Sequence, residues 1–209
     1  MDPAQEEQRN PYGMDESCTN CPGLVEPRTQ VVHGYGDASA EFLFVGERPS
    51  SGADESGIPF YGGDGDEAFQ EVLRALGFAH QEPGEEPDLE NVYLTNLTRC
   101  RDPERRPTDE EIYTCEPFLN AEIRMINPEI LVPVGDRALV ELAEEYTTTP
   151  ASEIDLATDH ATEIRGRGFE LVPMIHPAEA SEAETETFLE AFSVLLGRDY
   201  RQTKGRRGR

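Results

Sequence analysis

Hydrophobic residues gather in four short runs along the chain, and each run is bounded by charged residues, glycine or proline. The runs cover residues 42–45, 92–97, 130–134 and 171–175. Apolar runs of this length with such boundaries are typical of strands that are buried on both faces. The pattern therefore predicts four buried strands.

Between and after these runs, apolar residues recur at helical spacing. They predict helices at residues 68–76, 108–126, 136–146 and 182–196. The second helix has a clear start, because Thr108-x-x-Glu111 forms a capping-box pattern directly after Pro107. Strands that alternate with helices predict an α/β fold with three α/β/α layers around a central, mainly parallel four-stranded sheet.

The chain of 209 residues suits one domain of ordinary size. We predict a flexible N-terminus at residues 1–16, a domain at 17–197 and a basic C-terminal tail at 198–209. The sequence has neither a run of 18 apolar residues nor the features of a signal peptide. We therefore expect a cytoplasmic monomer with no membrane partner.

The charge of the chain is extreme. The formal net charge is −25, and Lys204 is the only lysine among 18 basic residues. Such a surface is typical of proteins from halophilic organisms, since salt screens the repulsion between like charges. Strong acidity argues at first against DNA binding. The positive charge is local, however, and one cluster of four arginines surrounds a cysteine and is a candidate phosphate-binding group: Arg99, Arg101, Arg105 and Arg106.

Four cysteines form a second candidate site. Cys18 and Cys21 make a C-x-x-C pair, while Cys100 follows a predicted strand and Cys115 lies in the next predicted helix. Four thiolates can hold one metal ion or one cluster. Without a secretion signal, disulfides are not expected. The spacing leaves structural zinc open as the alternative, but the wide gap between the second two cysteines favours an iron–sulfur cluster.

Polar and aromatic residues follow the predicted strands at points where an open parallel sheet binds ligands. Gly46 and Glu47 follow the first strand, and Glu47 could position or activate water. Phe60, in the following loop, could stack on a base. Asn96 ends the second strand and could bond a pyrimidine edge, and His176 follows the fourth and could stabilise negative charge.

Taken together, these motifs resemble the family 4 uracil-DNA glycosylases, over about residues 18–177. The family pattern combines C-x-x-C, G-x-G, Gly-Glu-Ala-Pro-Gly, Gly-x-Pro-Phe-x-Gly, an asparagine strand, a Cys-Arg-x-Pro loop, Pro-Thr-x-x-Glu-Ile and a final His-Pro. The matching segments are Cys18-x-x-Cys21, Gly34-Tyr35-Gly36, Gly46-Glu47-Arg48-Pro49-Ser50, residues 57–62, Thr95-Asn96-Leu97, Arg99-Cys100-Arg101-Asp102-Pro103, residues 107–112 with Cys115, and His176-Pro177-Ala178.

The resemblance implies an enzyme that flips uracil out of DNA and hydrolyses its bond to the sugar. It implies that Glu47 acts on water, that Phe60 stacks on uracil, that Gly46 shapes the pocket, and that Asn96 and His176 contact the base. It also implies a [4Fe–4S] cluster on the four cysteines. The chain departs from the pattern at Arg48 and Ser50, and in the acidic segment 179–182 after His-Pro-Ala.

Two alternatives differ in kind. A non-catalytic nucleic-acid-binding or damage-sensing protein could have the same fold and cluster, and the acidic segment 179–182 favours it. A nucleotide-binding α/β protein held together by zinc would account for Gly34-Tyr35-Gly36.

Overall fold

The computed structural model describes residues 7–63, 65–82 and 84–200. It confirms the predicted α/β architecture, with one central sheet between helices. The strands are ordered β1-β3-β2-β4-β6-β5. Their bounds are Tyr35–Gly36 (β1), Phe42–Gly46 (β2), Val92–Asn96 (β3), Ile130–Pro133 (β4), Ile164–Arg165 (β5) and Glu170–Leu171 (β6).

The sheet has six strands where the sequence predicted four. The four central strands run parallel, and the edge strands β1 and β5 pair antiparallel with β3 and β6. Each edge strand has two residues, which is too short to leave an apolar run in the sequence. The predicted fourth strand is reduced to β6, although hydrogen bonds to β4 continue from Val172 N–H to Leu131 O and from Met174 N–H to Pro133 O. The ladder is interrupted because Pro133 has no N–H to donate, and an isolated bridge joins Val134 to Met174 beyond it.

The described residues contain the four predicted helices, with ends within two residues of the predicted ones, and three shorter helices that the apolar pattern did not predict. They are Pro22–Val25 (α1), Ser51–Ser56 (α2), Asp66–Ala75 (α3), Asp109–Ile126 (α4), Asp136–Tyr146 (α5), Leu156–Asp159 (α6) and Glu182–Leu196 (α7), with a short 3-10 helix at Ala151–Glu153. The predicted capping box is confirmed, since Thr108 accepts from the Glu111 backbone N–H and the Glu111 side chain accepts from that of Thr108. None of the helices in the described ranges is long and apolar enough to span a membrane.

Two hydrophobic cores cover the faces of the sheet. On one face, Phe42 and Phe44 of β2 pack with the aromatic residues of α3 and α7. On the other face, Leu43 and Val45 pack with α4 and α5. Because side chains alternate along a strand, a strand between two helical layers is apolar at every position. This is why the sequence shows continuous runs.

The described ends of the chain lie against the domain. Gln8 hydrogen-bonds the backbone of Leu89 in both directions, and Arg9 forms an ion pair with Glu86. At the other end, the Tyr200 hydroxyl donates to Glu41 at 2.6 Å. Residues 1–6 of the predicted N-terminal segment and 201–209 of the predicted tail lie outside the described residues.

Candidate active site

The parallel register brings the first two predicted site segments side by side. Gly46 pairs with Asn96 where β2 and β3 end. They pack so closely that a Cβ atom on Gly46 would lie 2.5 Å from Asn96 Oδ1 and 2.7 Å from Phe60 Cζ. A residue without a side chain is therefore required here, and the predicted role of Gly46 has a physical basis.

A cavity of about 170 Å³ opens at this edge of the sheet. Gly46, Glu47, Phe60 and His176 line it, so the structure brings together four residues that the sequence predicted separately. Asn96 is not in the lining but lies directly behind Gly46. A larger cavity of about 690 Å³ runs between α4 and α5. It contains none of the predicted site residues and carries several carboxylates, which would repel phosphate.

Glu47 is placed at the cavity and mostly shielded, with 18% of its side chain exposed. Its carboxylate is 3.3 Å from Nε of Arg106. The neighbouring Arg48 also lines the cavity, and its Nη1 donates to the backbone carbonyl oxygens of Asp102 and Arg105. The bulky cation that departs from the family pattern therefore fastens the loop at residues 101–106 beside the pocket.

Phe60 forms a flat wall of the cavity. It is 5% exposed and stacks on Phe69 with ring centroids 4.1 Å apart and an angle of 14° between the rings. Its φ of 57° is uncommon for a residue other than glycine. The side-chain amide of Gln70 holds the Phe60 carbonyl at 2.9 Å. The ring is thus fixed from behind, with its position set by packing.

Asn96 carries an unsatisfied donor. The residue is 1% exposed, yet its Nδ2 has no hydrogen-bond partner among the described residues. A buried polar group without a partner costs about 1–3 kcal/mol. Such a group at the end of a strand beside a cavity is a site at which a ligand acceptor can bind.

His176 is held in one protonation state and one tautomer. Burial lowers its pKa, although Asp66 and Glu179 oppose this shift, and so the ring is neutral at neutral pH. The backbone N–H of Ala178 donates to Nδ1 at 3.2 Å. Because Nδ1 is the acceptor, the proton lies on Nε2, which can donate to a ligand.

Several residues of the cavity escaped the sequence analysis. Asp66 is 2% exposed and accepts from Ser50 Oγ at 2.6 Å and from the Gly63 N–H at 2.7 Å. It therefore binds Ser50, the second departure from the family pattern. Asp136 also lines the cavity after β4, and the rule that found Glu47 after β2 could have found it. Nothing local in the sequence marks Asp66.

The arginine cluster divides into an inner and an outer part. Arg101 and Arg106 line the cavity, and the Arg106 side chain is 71% exposed. Arg105 forms a bidentate pair with Glu111, whose pKa these hydrogen bonds lower to about 2. The prediction that Arg99 contacts phosphate is wrong, because the residue is 1% exposed and its Nη2 lies 2.5 Å from Oε2 of Glu122.

The four cysteines line one small cavity. Cys100 and Cys115 are buried, and Cys18 and Cys21 are half-buried. Burial raises the pKa of Cys115 to about 11. Two N–H groups donate to sulfur, Arg28 Nη1 to Cys100 at 3.0 Å and the Arg99 backbone to Cys115 at 3.3 Å. In the described ranges, no three His, Cys, Asp or Glu side chains converge as one metal ion requires.

Comparisons with known proteins identify the family of the chain. The family described as the uracil DNA glycosylase superfamily matches residues 33–196. A type-4 uracil-DNA glycosylase from Thermotoga maritima is 34% identical over 170 residues, covering 78% of this chain and 77% of that protein. One from Sulfurisphaera tokodaii is 32% identical, with 78% and 71% covered. A type-5 uracil-DNA glycosylase from Pyrobaculum aerophilum is 25% identical, with 87% of both covered. The chain thus belongs to the uracil DNA glycosylase superfamily and, within it, to the type-4 uracil-DNA glycosylases.

Proposed function

We propose that this protein is a DNA-repair glycosylase that hydrolyses the N-glycosidic bond of uracil in DNA. One observation carries the proposal: a carboxylate, an aromatic wall and a histidine line one small cavity, with an unpaired amide directly behind it. The volume of about 170 Å³ is below the roughly 300 Å³ at the lower end of typical ligand pockets. It suits a single-ring base that has left the stack.

The proposed chemistry assigns Glu47 to the water. As a carboxylate at the rim of the cavity, it can accept a proton from a water molecule that attacks the sugar carbon. The bond from that carbon to the base breaks, and the electron pair leaves with uracil. Arg106 is paired with this carboxylate in the free protein, and a DNA phosphate offers Arg106 another partner.

The departing base becomes an anion, and two groups are placed to receive it. Neutral His176 can donate from Nε2 to a uracil carbonyl oxygen, which stabilises the charge as it forms. Asn96 can donate from its free Nδ2 and accept at Oδ1, which matches an edge with one acceptor and one donor. Cytosine has a different pattern at that edge, so the same asparagine supplies discrimination.

For DNA contacts outside the pocket we propose Arg101 and Arg106, which lie on the cavity rim. Arg105 supports them indirectly, since it anchors the end of their loop to Glu111 on α4. At high salt such contacts act at short range, through direct hydrogen bonds to phosphate.

We propose that Cys18, Cys21, Cys100 and Cys115 hold a [4Fe–4S] cluster. The shared cavity and the N–H donors to two of the sulfurs support one common four-thiolate site, and the resemblance to the type-4 enzymes favours a cluster over zinc. The cluster would supply a structural cross-link between the N-terminal segment and the arginine loop. Iron and zinc analysis of anaerobically purified protein tests it, and stoichiometric zinc without iron would contradict it.

The net charge of −25 leads us to propose that the protein comes from a salt-rich cell. We further propose that it is a cytoplasmic monomer. Self-repulsion of this size destabilises the compact state in dilute buffer. We expect the melting temperature to rise steadily between 0.1 M and 3 M KCl, measured by circular dichroism. A melting temperature that does not change with salt would refute the salt adaptation, and sedimentation velocity in 3 M KCl would test the monomer.

The decisive experiment replaces Glu47 with glutamine and follows single-turnover cleavage of a uracil-containing single-stranded oligonucleotide in molar salt. The shape is retained and the base is lost, so the rate should fall about 10²–10⁴-fold while oligonucleotide binding persists. Glu190→Gln, at an exposed position of α7, is the matched control and should cleave like the wild type. Wild-type protein that binds the oligonucleotide without cleaving it would instead favour the non-catalytic alternative.

A further inference from the structure

A buried polar network lies between the candidate pocket and the cysteines, and the proposed chemistry does not use it. Arg99 and Glu122 are 1% and 0% exposed. Oε2 of Glu122 binds Arg99 Nη2 at 2.5 Å and the Thr95 hydroxyl at 2.7 Å. Oε1 accepts from the Tyr93 hydroxyl at 3.2 Å and from the backbone of Gly34 at 3.1 Å.

The network also contacts Asn96, the residue that we propose binds the pyrimidine edge. Arg99 turns back on its own chain, and its Nη1 donates to the carbonyl oxygen of Asn96 at 2.7 Å and to the Thr95 hydroxyl. On the other side, the backbone of the next two residues is fixed to β2, since Leu97 N–H donates to Gly46 O at 2.8 Å and Thr98 N–H to Glu47 O at 3.2 Å. The backbone at Asn96 is therefore held between the arginine and the catalytic strand end.

The same arginine also touches the cysteine site. Its backbone N–H donates to Cys115 Sγ at 3.3 Å, and its carbonyl oxygen accepts from Val32 at 2.8 Å. A single residue thus contacts the base-reading segment through its side chain and the cysteines through its backbone.

This buried ion pair contributes little net stability, because the desolvation of both charges offsets much of their mutual attraction. A buried pair is poor evidence for stability, whereas it fixes geometry through its hydrogen bonds. A guanidinium suits this task because its planar fork can bond a carboxylate and a carbonyl at the same time. A lysine at this position would retain the charge but lose the second group of N–H donors, which binds the Asn96 carbonyl oxygen.

We infer that Arg99, oriented by Glu122, is a positioning residue for Asn96 and that it links base discrimination to the cysteine site. This inference rests on the proposed function. Arg99 does not touch the base: it sets the backbone from which the Asn96 amide projects. Loss of the hydrogen bond from Arg99 to the Asn96 carbonyl oxygen therefore lets the Asn96 amide move relative to the base.

The test is a double-mutant cycle on cleavage of single-stranded uracil oligonucleotide with Arg99→Lys and Asn96→Ala. Arg99→Lys alone should slow single-turnover cleavage roughly 10- to 100-fold, because a displacement of about 1 Å at a reactive site costs up to about 10²-fold. In the Asn96→Ala background the same substitution should have almost no further effect on the rate. Where cleavage becomes too slow to time, the dissociation constant for the same oligonucleotide completes the cycle.

Two further readouts separate positioning from general stability. A cooperative thermal melt of each variant in the assay buffer should show that it is folded at the assay temperature, so that a loss of rate is not a loss of folded protein. Visible absorbance of the cluster should weaken or shift in Arg99→Lys and stay unchanged in Asn96→Ala. Arg9→Lys is the matched control, since Arg9 also binds a carboxylate and a carbonyl oxygen but lies away from the cavity.

Rate effects that multiply in the double variant would overturn the inference while leaving the glycosylase function intact. An Arg99→Lys variant with the wild-type rate would also overturn it. Failure of the wild type and of Arg9→Lys to cleave uracil would instead contradict the proposed function itself, so the two failures are distinguishable.

Discussion

The close contact at Gly46 allows a sharp test, because one added methyl group should displace Asn96 and Phe60 without changing the chemistry of either side chain. An alanine Cβ would lie 2.7 Å from Phe60 Cζ and 2.5 Å from Asn96 Oδ1. Carbon atoms pack at about 3.5–4.0 Å, so the Phe60 ring must retreat by about 1 Å. Phe60 has no room to do so, since it already stacks on Phe69 at 4.1 Å.

Two magnitudes follow from this overlap. Overpacking of a rigid core costs about 1–3 kcal/mol, which lowers the melting temperature by roughly 2–12 °C in a domain of this size. A shift of about 1 Å in the aromatic wall or in Asn96 should slow cleavage by up to about 10²-fold. Gly46→Ala should therefore remain folded and become a poor enzyme.

The assay measures single-turnover cleavage and thermal melting of the same preparation in molar salt. Gly197→Ala serves as control, because its new Cβ would meet nothing closer than 3.5 Å and its φ of −76° is open to any residue. It should leave cleavage unchanged. If Gly46→Ala cleaves uracil at the wild-type rate, the pocket is not where we place it.

Two more predictions concern the arginine loop and pH. Arg48→Ala removes the hydrogen bonds to the carbonyl oxygens of Asp102 and Arg105. We therefore expect KM for uracil DNA to rise several-fold, with little change in the single-turnover rate at saturating DNA. A faster single-turnover rate would instead show that Arg48 restrains Glu47. Burial lowers the pKa of His33 and His176, so the unfolded chain binds more protons than the folded one below about pH 6.5. Stability should be full above that pH and fall as pH drops through the folded pKa values, and His33→Gln should flatten the change in denaturant midpoint between pH 7.5 and 5.5. An unchanged midpoint for the wild type would contradict this.

Sequence was a good guide wherever one physical rule acts locally. Apolar runs found the buried strands, and the pattern at Thr108 and Glu111 found the start of α4. Parallel strands place their carboxyl ends at one edge of the sheet, and Glu47 and His176, which both follow predicted strands, line one cavity there.

The sequence was a poor guide to contacts between distant residues. A cluster of arginines predicts an exposed basic surface, yet Arg99 is buried because Glu122, one helix later, supplies its charge partner. Only the packing of α4 on the sheet creates that pair. In the same way, the contact of Arg106 with Glu47 depends on how one loop folds over another strand end. The two-residue edge strands form through pairing with neighbours and have no pattern of their own.

The position of the cysteines also bears on how the protein is made. Cys18 and Cys21 leave the ribosome early, whereas Cys115 follows about a hundred residues later, which at 5–20 residues per second is a delay of roughly 5–20 s. The central strand β2 also cannot pair when it is first made, because its neighbours β3 and β4 both come later in the chain. The proposed cluster needs all four thiolates, so its assembly must wait until Cys115 has been made, and Cys18 and Cys21 must stay reduced until then.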